Sequence, residues 1–70
     1  NLRDTALVPA LEKAARHAEP WVREAVYWAL MRMGSFEAYA AISRAQRHEW
    51  DDDLRETIIA YLQRGTGHLQ

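Results

Sequence analysis

The sequence contains an internal repeat, in which similar stretches recur 31 to 32 residues apart. Residues 11–17 align with residues 42–48, and Val22-Arg23-Glu24 aligns with Leu54-Arg55-Glu56. One extra residue in the second inter-helix turn explains the change of offset. A period of this size is typical of repeated helical hairpins, so the sequence predicts two of them. The alternative is chance similarity between two pairs of amphipathic helices.

Proline and glycine divide the chain into four segments that are otherwise rich in helix-forming residues. The predicted helices cover about residues 5–18, Pro20 to a stop at Gly34, residues 36–48, and the aspartates at 51–53 to a stop at Gly65. The predicted N-terminal caps are Asp4 or Thr5 for the first helix, Ser35 for the third, and Asp53 with Glu56 for the fourth.

Apolar residues recur at helical spacing in all four segments and predict one buried face on each. These faces consist of Leu7, Leu11, Ala14, Ala15 and Ala18; Val22, Val26, Ala29, Leu30 and Met33; Phe36, Tyr39, Ile42 and Ala45; and Leu54, Ile58, Tyr61 and Leu62. The fold class is therefore all-α, with two stacked antiparallel helical hairpins. We place the first repeat at about residues 5–34, the second at about 35–65 and a tail at 66–70.

Several of these residues also match the pattern of a known family. They are Pro9, Val22-Arg23, Ala29-Leu30 and Gly34, and again Leu54-Arg55 and Leu62. In this respect the chain resembles HEAT repeats, an α-solenoid family. The resemblance covers about residues 5–65, and it departs from the family at His17, where an Asp is common, and in the missing proline of the second repeat. It implies an α-α superhelix and a role in binding other proteins.

The two repeated arginines open the second helix of each hairpin, and we expect Arg23 and Arg55 to tie adjacent repeats together through carbonyls or acids in the neighbouring turn. We also expect Trp21 and Trp28 to pack between the repeats, with Tyr27 pointing upstream. The far flank of the fourth helix is polar or small, as a terminal repeat requires. The sequence therefore predicts the C-terminal end of a longer array. The start at Asn1, which is not Met, likewise leads us to expect further chain upstream.

Composition argues against several classes of function. Nine Lys and Arg against ten Asp and Glu leave a net charge of −1, which disfavours nucleic acid as a partner. The longest apolar run is too short for a membrane span, and no signal peptide is visible. The chain has no cysteine, so we expect a cytoplasmic protein without disulfides.

No pattern predicts catalytic residues, a metal site or a cofactor. His48-Glu49 is similar to the His-Glu pairs with which HEAT-repeat deoxyhypusine hydroxylases hold iron, but only one such pair is present and His17 cannot complete it. Asp51-Asp52-Asp53 lacks the glycine and the distal acid of a calcium loop, so helix capping is the preferred interpretation. We therefore expect no enzyme activity from these residues.

The remaining hypothesis is a protein-binding or scaffolding module. Aromatic residues and arginine are common in binding hot spots, and the candidate partner-binding residues are Trp50, Arg23, Arg32 and Tyr27. The expected partners are another protein, upstream repeats of the same chain, or a second copy bound through the Tyr27 side. Two alternatives are the non-catalytic helical tail of an enzyme, as in lyase-like HEAT proteins, and a nucleic-acid-binding array.

Overall fold

The computed structural model describes the backbone of residues 2–67 and the side chains of residues 6–65. Its four helices are α1 (Leu2–Ala14), α2 (Pro20–Met33), α3 (Phe36–Gln46) and α4 (Asp52–Gly67). Helices α1 and α2 form the first hairpin, and α3 and α4 form the second. Helix α3 packs against all three others, and α2 also packs against α4, so the two hairpins stack side by side. The predicted all-α fold with two hairpins is confirmed.

The connection between the hairpins follows the local signals in the sequence. Gly34 adopts the left-handed conformation, with φ of 67°, and its N–H donates to the carbonyl of Leu30. Glycine reaches this conformation without the clash that a Cβ causes. The Ser35 hydroxyl then accepts a hydrogen bond of 3.1 Å from the N–H of Ala38, which caps α3. The predicted bounds of α2 and the predicted cap of α3 are confirmed.

The predicted ends of α1 are wrong. The helix begins at Leu2, so Asp4 and Thr5 lie within it and not at its start, and it ends at Ala14 instead of Ala18. After Ala14 the N–H of His17 bonds three residues back, to the Ala14 carbonyl, which tightens the last turn. The His17 ring then accepts from the N–H of Glu19 at 3.0 Å and holds the chain in a turn.

Helix α4 differs from the prediction at both ends. Its cap is Asp51, whose Oδ1 accepts from the N–H of Leu54 at 3.0 Å, so the predicted capping box of Asp53 and Glu56 is wrong. The helix continues through Gly65 to Gly67, beyond the predicted stop. A Cβ on Gly65 would lie 2.9 Å from the Tyr39 ring, so the glycine permits a close approach of α3 and α4. The last three residues of the predicted tail lie outside the described part of the chain.

The core lies where α2 and α3 meet the other two helices. Its buried apolar residues are Val8, Ala15, Val26, Tyr27, Leu30, Ala38, Ala41, Ile42, Ala45, Leu54 and Ile58. Most of the predicted faces contribute to it, but Leu7 and Phe36 are exposed, Phe36 by 83%. Phe36 is the first residue of α3. Further along this helix, the small side chains of Ala38 and Ala41 pack against the neighbouring helices.

The predicted orientation of α2 is also wrong. Tyr27 is completely buried, whereas Trp21 and Trp28 are exposed by 69% and 52%. Arg23 and Tyr27 are both buried, and at about 100° per residue the two tryptophans lie about 150–170° around the helix from the centre of the buried face. Tyr27 therefore cannot mediate contact with upstream repeats or with a second copy. This burial pattern gives no support to the predicted C-terminal position in a longer array.

We predict that Gly34→Ala destabilises the protein by about 1–2 kcal/mol, because a Cβ is strained at positive φ. Gly34→Asn should cost less, since asparagine tolerates the left-handed region better. Urea unfolding of the two variants measures the difference. Equal losses from both substitutions would contradict a conformational cause.

Candidate interaction surface

A buried ion pair joins the two hairpins. Arg23, in the first turn of α2, meets Glu49, in the turn between α3 and α4. The guanidinium donates twice to the carboxylate, from Nε to Oε1 at 2.9 Å and from Nη2 to Oε2 at 3.0 Å. The Arg23 and Glu49 side chains are only 3% and 0% exposed. Such a two-point contact fixes both the distance and the orientation of the two elements.

The remaining polar atoms of the pair are also satisfied. Arg23 Nη1 donates to the carbonyls of His17 and Ala18 at 2.7 and 2.9 Å, which ties α2 to the turn before it. The Tyr27 hydroxyl donates to Glu49 Oε1, and the N–H of Asp51 donates to Glu49 Oε2 at 2.9 Å. Within the described residues, no buried side-chain nitrogen or oxygen lacks a partner. The network can therefore hold charge in the interior without an orphaned group.

This arrangement shifts the pKa of two groups, Glu49 and Tyr27. Burial would raise the pKa of Glu49, but the hydrogen bonds from Arg23, Tyr27 and the Asp51 N–H outweigh it, so the pKa lies below its ordinary value of 4.5. Burial, and next the hydrogen bond to Glu49, raise the pKa of Tyr27 well above its ordinary value of 10.0. At neutral pH the network thus contains a carboxylate and a neutral phenol.

Trp50 covers the outer side of this network. The Cζ of Arg23 lies 4.2 Å from the centroid of the Trp50 ring, which is within cation–π range. The rest of Trp50 is open to solvent, with 67% of the residue exposed. One face of the ring therefore belongs to the structure, while the other is available for contact.

The outward face of α2 carries two of the three tryptophans, both of them exposed. Trp21, Ala25, Trp28 and Arg32 are all exposed and lie within about 60° of one another around the helix. The Arg32 guanidinium lies over the Trp28 ring, with its Cζ 5.3 Å from the ring centroid. Exposed aromatic residues beside an arginine are the composition of a binding hot spot. We refer to Trp21, Ala25, Trp28 and Arg32 as the α2 face.

The structure brings together only some of the predicted site residues. Trp50 and Arg32 are at the surface as the prediction requires, but Arg23 and Tyr27 are buried against Glu49 and cannot contact a partner. The predicted role of Arg23 in tying adjacent repeats together is confirmed by its bonds to Glu49. Arg55, its counterpart in the second repeat, is exposed and makes no ion pair with the described residues.

Sequence reasoning missed the role of Glu49, which it considered only as half of a His-Glu pair. The available signal was Arg23 itself, because a buried arginine needs an acid and the following repeat has one in its turn. Reasoning from the apolar stripe alone also placed Trp21 and Trp28 inside. The burial of a charged residue, which that stripe cannot show, determines which side of α2 faces outward.

Besides the apolar core, polar contacts at the surface join the two hairpins. Arg44 donates to Glu12 from Nε and Nη2 at 2.6 and 2.8 Å, and Arg16 Nη2 lies 2.9 Å from His48 Nε2. His48 therefore pairs with an arginine. Among the described residues, no three His, Asp or Glu side chains are grouped so that they could hold a metal ion. In the same part of the chain, no helix has the length and apolar character to span a bilayer.

Comparison with known proteins identifies the family. Residues 1–63 match the family model described as HEAT repeats. The chain therefore belongs to the HEAT-repeat family, in agreement with its stacked helical hairpins. No curated protein and no solved structure matches it. HEAT repeats commonly mediate contacts between proteins and are generally non-catalytic.

We predict that Glu49→Ala destabilises the protein by about 3–5 kcal/mol, because it leaves the buried Arg23 guanidinium without its charge partner. The matched control is Glu12→Ala, which removes an acid from the exposed pair with Arg44 and should leave the unfolding midpoint almost unchanged. Urea denaturation followed by circular dichroism measures both. A small effect of Glu49→Ala would show that the buried pair contributes little.

Stability should fall at both ends of the pH range. The lowered pKa of Glu49 contributes stability that is present above about pH 4.5 and is lost as the pH falls through the pKa of the folded state. The raised pKa of Tyr27 contributes stability that is present below about pH 10 and is lost as the pH rises further. Tyr27→Phe should flatten the alkaline loss and keep an acid loss. Unfolding midpoints at pH 3, 7 and about 10.5 test both directions.

Proposed function

We propose that this chain is a protein-binding module whose contact surface is the α2 face. The observation that carries the proposal is the exposure of Trp21 and Trp28 on the side of α2 opposite the core. Two large aromatic side chains left in water at one place indicate a surface that is covered in a complex. Arg32 adds a cation that is already held against Trp28.

The core supports this function by holding the surface rigid. The double hydrogen bond between Arg23 and Glu49 fixes the first turn of α2, next to Trp21. The left-handed cap at Gly34 fixes the other end of the helix, close to Arg32. A surface that is ordered before binding loses less conformational entropy when a partner arrives.

The predicted contact residue Trp50 is a second candidate beside the α2 face. Its outer ring face is exposed, but its inner face already packs on Arg23. Trp50→Ala would therefore alter both the surface and the buried ion pair, which makes it a poor test of binding alone. The α2 face offers cleaner variants.

The proposal predicts that Trp21→Ala/Trp28→Ala abolishes the capture of protein partners from a lysate of the source cells by the immobilised chain. Phe36→Ala is the matched control, because it removes an exposed aromatic residue on α3 and should leave capture intact. The helical circular dichroism signal confirms that both variants are folded. Capture that is equal for the wild type and the double variant would overturn the proposal.

The two alternative functions, a helical tail of an enzyme and a nucleic-acid-binding array, predict different experimental results. A helical tail of an enzyme would dock through the α2 face within its own parent protein, so deletion of residues 1–70 would change the activity of that parent. Nucleic-acid binding would depend on basic residues and weaken steeply with salt. The α2 face has a single arginine, which favours a protein partner.

A further inference from the structure

The four residues of the α2 face have a specific spacing along the helix. Trp21, Ala25, Trp28 and Arg32 follow one another at steps of four, three and four residues. This is the spacing at which one helix of a two-stranded coiled coil contacts the other. All four residues are exposed, so this side of α2 is free of contact with the rest of the chain's core.

The spacing is also symmetric about its centre. A two-fold axis that crosses α2 between Val26 and Tyr27 exchanges residue 21 with 32 and residue 25 with 28. In an antiparallel pair of such helices, Trp21 lies opposite Arg32 of the partner subunit, and Ala25 lies opposite Trp28 of the partner subunit. The same four residues therefore supply both sides of an isologous contact.

We propose that the α2 face binds a second copy of this chain in an antiparallel two-fold dimer, a partner assignment that rests on the proposed function. The chemistry of the opposed residues is complementary. The small side chain of Ala25 leaves room for the tryptophan of the other copy. Arg32, already against Trp28 of its own chain, gains a second aromatic ring from Trp21 of the partner subunit.

Other arrangements of two copies are less favourable. A parallel pairing would place Arg32 against Arg32 and would give Ala25 only another alanine to contact. The outward side of α4 carries Ile59 among exposed charged residues such as Asp52 and Glu56 and has no exposed aromatic residue in its described part, whereas α2 has two. The net charge of −1 adds little repulsion between copies.

One helix face per copy forms a small interface. Interfaces at the low end of the size range are typically weak and transient. We therefore expect a dimer that forms and dissociates rapidly and becomes populated as the concentration rises from about 10 µM to about 1 mM.

Sedimentation equilibrium over that concentration range measures the dimer. Wild type should move from monomer to dimer, Trp28→Ala should remain a monomer, and Ala25→Phe, which fills the notch, should weaken association at least tenfold. Phe36→Ala should dimerise like wild type. A wild type that stays monomeric, or a dimer that survives Trp28→Ala, overturns the proposal.

Spin labels determine the orientation of the helices. The chain has no cysteine, so Glu19→Cys gives one label per chain, at a position that is not among the four contact residues. In the antiparallel pair the two labels at 19 are separated along the axis by about 22 Å. A parallel pair would bring the two labels to about the interhelical distance of 8–10 Å. A short distance at position 19 would therefore overturn the proposed orientation.

The two proposals fail in different ways. If the chain is a monomer but loses a captured partner with Trp21→Ala/Trp28→Ala, the α2 face binds a different protein and only the dimer is wrong. If those substitutions change neither self-association nor capture, the α2 face is not a binding surface and both proposals are wrong.

Discussion

The ion pair between Arg23 and Glu49 is the interaction on which the rest of the structure depends. It joins α2 to the turn of the following hairpin, and the same guanidinium binds the turn before α2. Because both charges are buried, any other orientation of α2 would leave one of them without a partner. The buried pair and the apolar residues Val26 and Leu30 lie on the same side of α2, which leaves the opposite side in solvent.

This dependence explains which features could be predicted from the sequence. Local signals correctly predicted that α2 lies between Pro20 and Gly34 and that Ser35 caps α3. Each of these signals acts on backbone groups only a few residues away in the sequence. The internal repeat predicted that the chain forms two stacked hairpins. The orientation of α2 was not predicted, because the apolar stripe does not show that Arg23 is buried against Glu49, which lies 26 residues away in the sequence.

Other errors have the same origin in contacts between distant residues. Gly65 was predicted to end α4. Instead it lies within the helix, where the absence of a side chain makes room for the Tyr39 ring of α3. Phe36 reads as part of an apolar stripe, yet it lies at the start of α3, where it is exposed. In a chain of 70 residues, a few such contacts decide which aromatic residues are inside and which remain for binding.

The ion pair also has a consequence for how the protein unfolds. Repeat proteins are described by the stability of each unit and the coupling between neighbours, and weak coupling lets one unit melt while the next persists. Here a melted second hairpin would strand Arg23, and a melted first hairpin would strand Glu49. Each half-folded species therefore loses the partner of one charge and the two hydrogen bonds that the pair makes. We therefore expect the two hairpins to unfold as one cooperative unit, although each carries its own copy of the repeat.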